Sequence, residues 1–185
     1  MHRVHLICGS SGSGKDTLVQ EFIKRNTEYS QIISYTTRKP RYDGENTHIF
    51  ITEDEVEQYR NQMIAYTFYN NHHYFATVDQ LRKHNFYVVD PKGVEYLKTR
   101  AQELRLTDID IIPIHIQVSL PRRFTRMRKR GDSYVNTIKR LVNDHKEFKN
   151  FRSEFVIENK NFKEALSDLD FLVTSFENFD CKFGI

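Results

Sequence analysis

Apolar and polar positions alternate in blocks along this chain, and the blocks change period. Val4-His5-Leu6-Ile7-Cys8 is a near-continuous apolar run, the pattern of a strand covered on both faces. It predicts a first strand over Arg3–Cys8. Leu18, Val19, Phe22 and Ile23 then recur at helical spacing, which predicts a helix over Lys15–Asn26. The same switch repeats downstream. Strands are predicted at Gln31–Tyr35, Phe86–Asp90, Ile109–Val118 and Phe155–Ile157. Pro113 belongs near the start of its strand or at a bend, because proline cannot donate to a ladder. Helices are predicted at Gly93–Glu103, Pro121–Arg130, Tyr134–Asn150 and Phe162–Phe176. Buried strands separated by helices imply an α/β fold, a central parallel sheet with helices on both faces. Ligands of such sheets bind beyond the carboxyl ends of the strands.

Two stretches break the alternation. Residues 36–82 hold a basic turn, a strand at His48–Ile51, a helix opened by Thr52 and two aromatic strands. Thr52 with Glu55 three residues on is a capping-box spacing. This segment reads as an inserted subdomain within a single domain whose core is 1–35 and 83–185. The second break is Lys129–Val135, a Gly-containing link between Arg-rich helices, which reads as a lid spanning about 126–137.

A chain of 185 residues is long enough for one domain with a full core. Its net charge of +3 is too mild to imply nucleic acid by itself. The positive charge gathers in Arg38–Arg41 and Arg122–Arg130, and the second cluster is read as lid rather than as a nucleic-acid surface. Two cysteines make no disulfide framework and suit a reducing compartment, so a cytoplasmic protein is expected. No apolar run reaches membrane-spanning length, and no signal-peptide pattern is present. Neither a membrane nor nucleic acid is expected as partner; the expected state is a monomer or homodimer. The histidines show no metal-ligand spacing, and His72-His73 fall in a predicted turn.

The chemistry begins at Gly9-Ser10-Ser11-Gly12-Ser13-Gly14-Lys15-Asp16-Thr17, directly after the first strand. Strand, glycine-rich turn, lysine, helix is the arrangement that wraps backbone N–H groups around a polyphosphate. Lys15 would meet the outer phosphates as a point charge. A merely flexible turn would leave the flanking strand and helix without a reason. The fold expected is therefore that of P-loop NTPases, with Ser11, Gly12, Ser13, Gly14, Lys15, Asp16 and Thr17 at ATP. Asp16 stands where a hydroxyl residue is usual, and its carboxylate is also a hard ligand for Mg2+.

Downstream, Ser34-Tyr35-Thr36-Thr37-Arg38-Lys39-Pro40-Arg41 sets two arginines three apart in a turn fixed by proline. Paired guanidinium forks suit a phosphate. Here the chain resembles the guanylate kinase family, whose acceptor segment reads S-x-T-T-R-x-P-R. The resemblance covers most of the chain. Asp43–Phe50 is similar to G-x-x-Y-x-F with His48 at the Tyr, and Tyr74-Phe75-Ala76-Thr77 to Y-Y-G-S/T with Phe75 at the second Tyr. Asp90–Val94 matches D-x-x-G-V, Arg126–Gly131 the lid motif R-L-x-x-R-G, Ile138–Leu141 I-x-x-R-L, and Ile157-Glu158-Asn159 the start of I-x-N-D.

The resemblance implies ATP and Mg2+ as cofactors and small-molecule nucleotides as substrates. Lys15, Arg130 and Arg140 would stabilise the ATP phosphates, Arg126 would also bind ATP, and Asn159 would approach the donor base. Arg38 and Arg41 would hold the acceptor phosphate, with Ser34, His48, Tyr66, Phe75 and Thr77 around the acceptor. Asp90 would lie near the metal and the acceptor, with Asp16 as the second metal ligand. The catalytic set is then Lys15, Arg38, Arg130, Arg140 and Asp90. One departure concerns the base: the family reads guanine with a Glu before Y-Y-G, and Ile64–Tyr69 contains no carboxylate. Tyr66 cannot accept from both guanine N1–H and N2–H. The expected function is ATP-dependent phosphorylation of GMP or dGMP. Other readings are another (deoxy)nucleotide or ribose 1,5-bisphosphate as acceptor, since Asp16 and Glu45-Asn46-x-His48 also resemble ribose 1,5-bisphosphate phosphokinases. A non-catalytic phosphopeptide-binding module is a third reading, and retention of Lys15 and the lid arginines argues against it.

Overall fold

The apolar run after Met1 forms β1 (His2–Cys8), and the switch to helical period forms α1 (Lys15–Arg25). There follow β2 (Tyr35–Thr36), β3 (Ile49–Phe50), β4 (Met63–Tyr69), β5 (His72–Thr77), α2 (Val78–Lys83) and β6 (Phe86–Val89). Then come α3 (Pro91–Glu103), β7 (Ile109–Gln117), α4 (Leu120–Lys129), α5 (Tyr134–Phe148), β8 (Phe155–Glu158) and α6 (Phe162–Phe183). This is a computed structural model, and it describes residues 1–40, 42–69 and 71–183, with the backbone alone at 69 and 178–183. Its central sheet runs β6-β1-β7-β8, and a smaller sheet runs β3-β2-β5-β4. β7 and β8 pair in parallel from Ile114 opposite Phe155 to Gln117 opposite Glu158. Pro113 lies inside β7, one residue before that pairing begins, so its missing donor falls outside the β8 ladder.

Contacts divide the chain into two compact units, residues 1–6 with 29–112 and residues 7–28 with 113–185. In the second, Leu18, Val19 and Phe22 of α1 are buried, as are Leu166, Leu169 and Val173 of α6, and the two helices pack together. In the first, the small sheet buries Val56, Met63 and Phe75 in its own cluster.

Three predicted elements differ. Gln31–Tyr35 is not a strand of the central sheet: Gln31 makes one parallel bridge to Phe86, and the chain then diverges. The Ile33 carbonyl takes a hydrogen bond from the Gln80 amide at 2.8 Å, and the Ser34 carbonyl takes one from Ile49 N–H at 2.9 Å, so ladder groups are used elsewhere. After Thr52 the chain forms two 3₁₀ segments, Glu53–Glu55 and Glu57–Gln62, instead of an α-helix. Only Val56 and Tyr59 turn inward there, at a spacing of three, which suits the 3₁₀ period. Glu55 does reach back to cap the turn, accepting from the Thr52 N–H at 2.6 Å and its hydroxyl at 2.9 Å. His72 and His73 open β5 rather than lying in the turn.

His5 is buried in β1, its ring 5.2 Å from that of Phe86. Burial, with the nearby Arg3 and His2 charges, lowers its pKa to about 4. The unfolded chain takes up that proton near pH 6.5 while the folded chain refuses it, so stability falls as pH drops through this window. Between pH 6.5 and 5 the melting temperature is expected to fall, and His5→Leu should flatten that part of the curve. An unchanged slope in the variant would refute the assignment.

Candidate functional site

Ser10–Lys15 turns back on itself through a bond from Ser13 N–H to the Ser10 carbonyl at 3.0 Å. Gly12 and Gly14 hold φ at +77° and +82°, the left-handed region that a side chain disfavours. Space excludes one as well: a Cβ on Gly14 would stand 2.7 Å from Asn159 Nδ2. Gly14 precedes Lys15, the first residue of α1, so the turn delivers the chain into a helix whose first amides have no intrahelical acceptor.

The loop borders a cavity of about 550 Å³. Of the residues expected at ATP, Ser11, Gly12, Gly14, Lys15, Asp16, Thr17, Arg126 and Asn159 line it, as do Arg130 and Arg140. Ser13 does not: its side chain is buried, with no hydrogen-bond partner for its hydroxyl among the described residues. Sequence reasoning missed two lining residues, Met127 and Phe162. Phe162 opens α6 and carries the local signal of an apolar residue just after Asn159-Lys160-Asn161.

Four cationic side chains meet at this cavity, and each is held differently. Lys15 Nζ lies 3.5 Å from Asp16 Oδ2. Arg126 donates to the Ser13 carbonyl at 3.1 Å and to the Asn159 carbonyl at 2.9 Å, bracing the loop from α4. Asn159 is also engaged: its Nδ2 donates to the Ser13 carbonyl at 2.7 Å, and the residue is buried. Arg130 pairs with Asp132 at 2.7 Å, and Arg140 reaches the same carboxylate at 3.8 Å. The hydrogen-bonded Arg130, with Arg140 and Arg128 beside it, holds the Asp132 carboxyl below the usual range. Asp132 was not anticipated from the sequence.

The acceptor candidates lie in the other unit. Arg38 forks onto Glu45, with Nη2 to Oε1 at 2.8 Å and Nη1 to Oε2 at 3.1 Å, and its guanidinium carbon stands 5.3 Å from the Phe50 ring centre. The Ser34 hydroxyl meets the Tyr87 hydroxyl at 3.0 Å, and burial raises the Tyr87 pKa. His48 packs edge-on to Tyr74 and meets the Thr47 hydroxyl at 3.0 Å. The Tyr66 hydroxyl bonds His73 Nδ1 at 2.9 Å, and His73 Nε2 lies 3.2 Å from Glu53. Two of the residues expected around the acceptor have buried side chains. Phe75 is 1% exposed, stacked on Tyr35 at 5.1 Å in the small sheet's core. Thr77 is buried as the cap of α2, its hydroxyl accepting from Gln80 N–H at 3.3 Å. Arg41 lies outside the described residues.

Among the described residues no group of three His, Cys, Asp or Glu is placed to hold a metal. Mg2+ on a nucleotide takes one or two carboxylates and otherwise phosphate and water oxygens. Asp16, at the cavity wall, fits as such a carboxylate. Asp90 caps α3, Oδ1 accepting from Gly93 N–H at 2.6 Å.

A sequence model of guanylate kinases matches residues 1–175. The chain belongs to the guanylate kinase family. Among its relatives, the guanylate kinase of Paraburkholderia xenovorans is 29% identical over 182 residues, spanning 92% of this chain and 78% of that protein. That of Mycoplasma genitalium is 29% identical over 189 residues, spanning 94% and 75%. The crystal structure of guanylate kinase from Anaplasma phagocytophilum has the same fold, with a TM-score of 0.60 at 14% identity, over 94% of this chain and 85% of that one. The glycine loop, the cavity-lining arginines and the small sheet thus belong to a chain with the guanylate kinase fold. Among the described residues, no helix is long and apolar enough to cross a membrane.

Proposed function

We propose that this chain transfers the γ-phosphoryl group of ATP to GMP or dGMP. The observation that carries this reading is the convergence of the glycine loop, Lys15, Arg126, Arg130 and Arg140 on one cavity. An oxygen of the acceptor phosphate forms the new bond to γ-phosphorus, the bond to the bridging oxygen breaks, and ADP leaves. The protein supplies no nucleophile; positioning and charge lower the barrier. In this reading, loop amides and Lys15 grip the β- and γ-phosphates, and Arg130 and Arg140 leave Asp132 for the transferring oxygens. Asp16 and Asp90 are the carboxylates assigned to Mg2+, which when bound would supply charge neutralisation at the phosphates. Arg38, with Arg41, holds the acceptor phosphate. Residues 36–82 act as the acceptor-binding insert and about 126–137 as the lid, on a core of 1–35 and 83–185. Closure of lid and insert would exclude water. A cytoplasmic setting fits this chemistry.

A second reading, another monophosphate or ribose 1,5-bisphosphate as acceptor, is favoured by one observation. No carboxylate lies in 64–69, and the Tyr66 hydroxyl is already bonded to His73. A coupled ADP-release assay across all nucleoside monophosphates, their deoxy forms and ribose 1,5-bisphosphate decides between the readings. Turnover highest with GMP or dGMP is expected; preference for another acceptor selects the second reading, and no turnover with any would sink both.

A further inference from the structure

Arg123 on α4 and Asp144 on α5 are both buried, and neither is assigned to a substrate. Their charges converge on one residue of the glycine loop. Asp144 Oδ2 accepts from the Ser11 N–H at 3.0 Å, and Oδ1 from the Ser11 hydroxyl at 3.2 Å. The Arg123 guanidinium pairs with the same carboxylate through Nη2, while its Nε donates to the Ser11 carbonyl at 2.9 Å. The N–H, hydroxyl and carbonyl of Ser11 are thus all held by one ion pair. The loop also sits directly on α4: a Cβ at Gly12 would come within 2.9 Å of the Arg123 carbonyl. α4 and α5 are the two helices that flank the 130–133 link, and α5 carries Arg140.

A buried ion pair is a poor device for stability, because hydrophobic residues of like volume often serve as well or better. What this pair does that an apolar pair could not is bind loop backbone. We propose that Arg123 and Asp144 form a latch that fixes the glycine loop to both lid-flanking helices, making them positioning residues for the triphosphate. The proposal rests on the reading that the loop holds ATP. The latch sets loop amides and lid arginines in one frame, so that a triphosphate meets both already in place.

The test replaces the pair by apolar residues, Arg123→Met with Asp144→Leu, in the full chain. Hydrogen exchange of amides 10–15, thermal melting, ATP affinity by calorimetry and the acceptor KM are measured together. The expected result is a melting temperature at or above that of the parent, with loop exchange faster by about tenfold. The ATP dissociation constant should rise by about tenfold while the acceptor KM stays within twofold. If the double variant fails to fold, Asp144→Asn and Ser11→Ala are read in the same way, with smaller shifts in the same direction. Unchanged loop exchange, or faster exchange with unaltered ATP affinity, overturns the latch. Failure of the parent protein to bind ATP overturns the functional reading instead, and loop exchange still reports whether the pair holds the loop.

Discussion

Lys15→Ala is expected to lower kcat/KM by two to three orders of magnitude while leaving the fold intact. The basis is charge placement. Lys15 is the first residue of α1, at the wall of the cavity, and its ion-pair partner there is the neighbouring Asp16 at 3.5 Å. In the transfer step negative charge spreads over the equatorial oxygens, and a preorganised donor aimed at such charge contributes about 2.7–4 kcal/mol. The stability side is small, because an ion pair with a partner as open as Asp16 contributes about 0–1 kcal/mol. For a chain of this size that is a melting shift of about 2–4 °C at most. Lys15→Arg should recover little, since a planar fork cannot replace a compact ammonium at the same point. Turnover assays and thermal melts on the same preparations separate the two effects. Near-normal turnover in the alanine variant would remove the phosphate-grip mechanism.

The cavity at the glycine loop was legible because its residues are local in sequence. A glycine loop, its lysine and the first turn of the helix that follows lie close together in sequence, and the positive φ of Gly12 and Gly14 is what the spacing demanded. Arg126, Arg130 and Arg140 could be reached through motifs that keep fixed intervals. The α/β alternation was legible for the same reason: long apolar runs and helical stripes carry their own period.

What escaped the reading depends on contacts far apart in sequence. Gln31–Tyr35 has the apolar content of a strand, but the Gln80 amide and Ile49 N–H take its carbonyls. Nothing within the segment records that competition. Asn159 lines the cavity, and its bond to the Ser13 carbonyl, 146 residues away, is a contact that no local pattern announces. The Arg123–Asp144 pair did leave a trace. Asp144 continues the inward stripe Thr137, Leu141 on α5, and Arg123 lies one turn before the buried Met127 on α4. Charged residues of opposite sign on two inward helix stripes are a signal for an internal pair.

Glu45 is the other residue whose weight became visible only in the structure, and its removal should carry the largest cost to stability. Its carboxylate is fully buried, accepts both Nη groups of Arg38, and takes the Thr47 hydroxyl at 2.7 Å. The Arg38 side chain is 13% exposed, so it cannot recover its lost partner from bulk water. Breaking such a pair costs about 3 kcal/mol, the low end for buried pairs. Glu45→Ala is therefore expected to lower the melting temperature by about 6–12 °C. Arg38→Met strands the buried carboxylate and should cost at least as much. The double variant Arg38→Met with Glu45→Leu should be more stable than either single change, because no charge is left buried alone. A melting temperature for Glu45→Ala within about 2 °C of the parent would show that the pair contributes nothing net. The same variants bear on the acceptor. Both Nη groups of Arg38 are occupied by Glu45, so if Arg38 holds the acceptor phosphate as proposed, that phosphate shares the guanidinium rather than finding it free. Glu45→Gln, which keeps the shape and removes the charge, then separates orientation from competition. A raised acceptor KM means that the carboxylate aims Arg38, and a lowered one means that it competes with the phosphate.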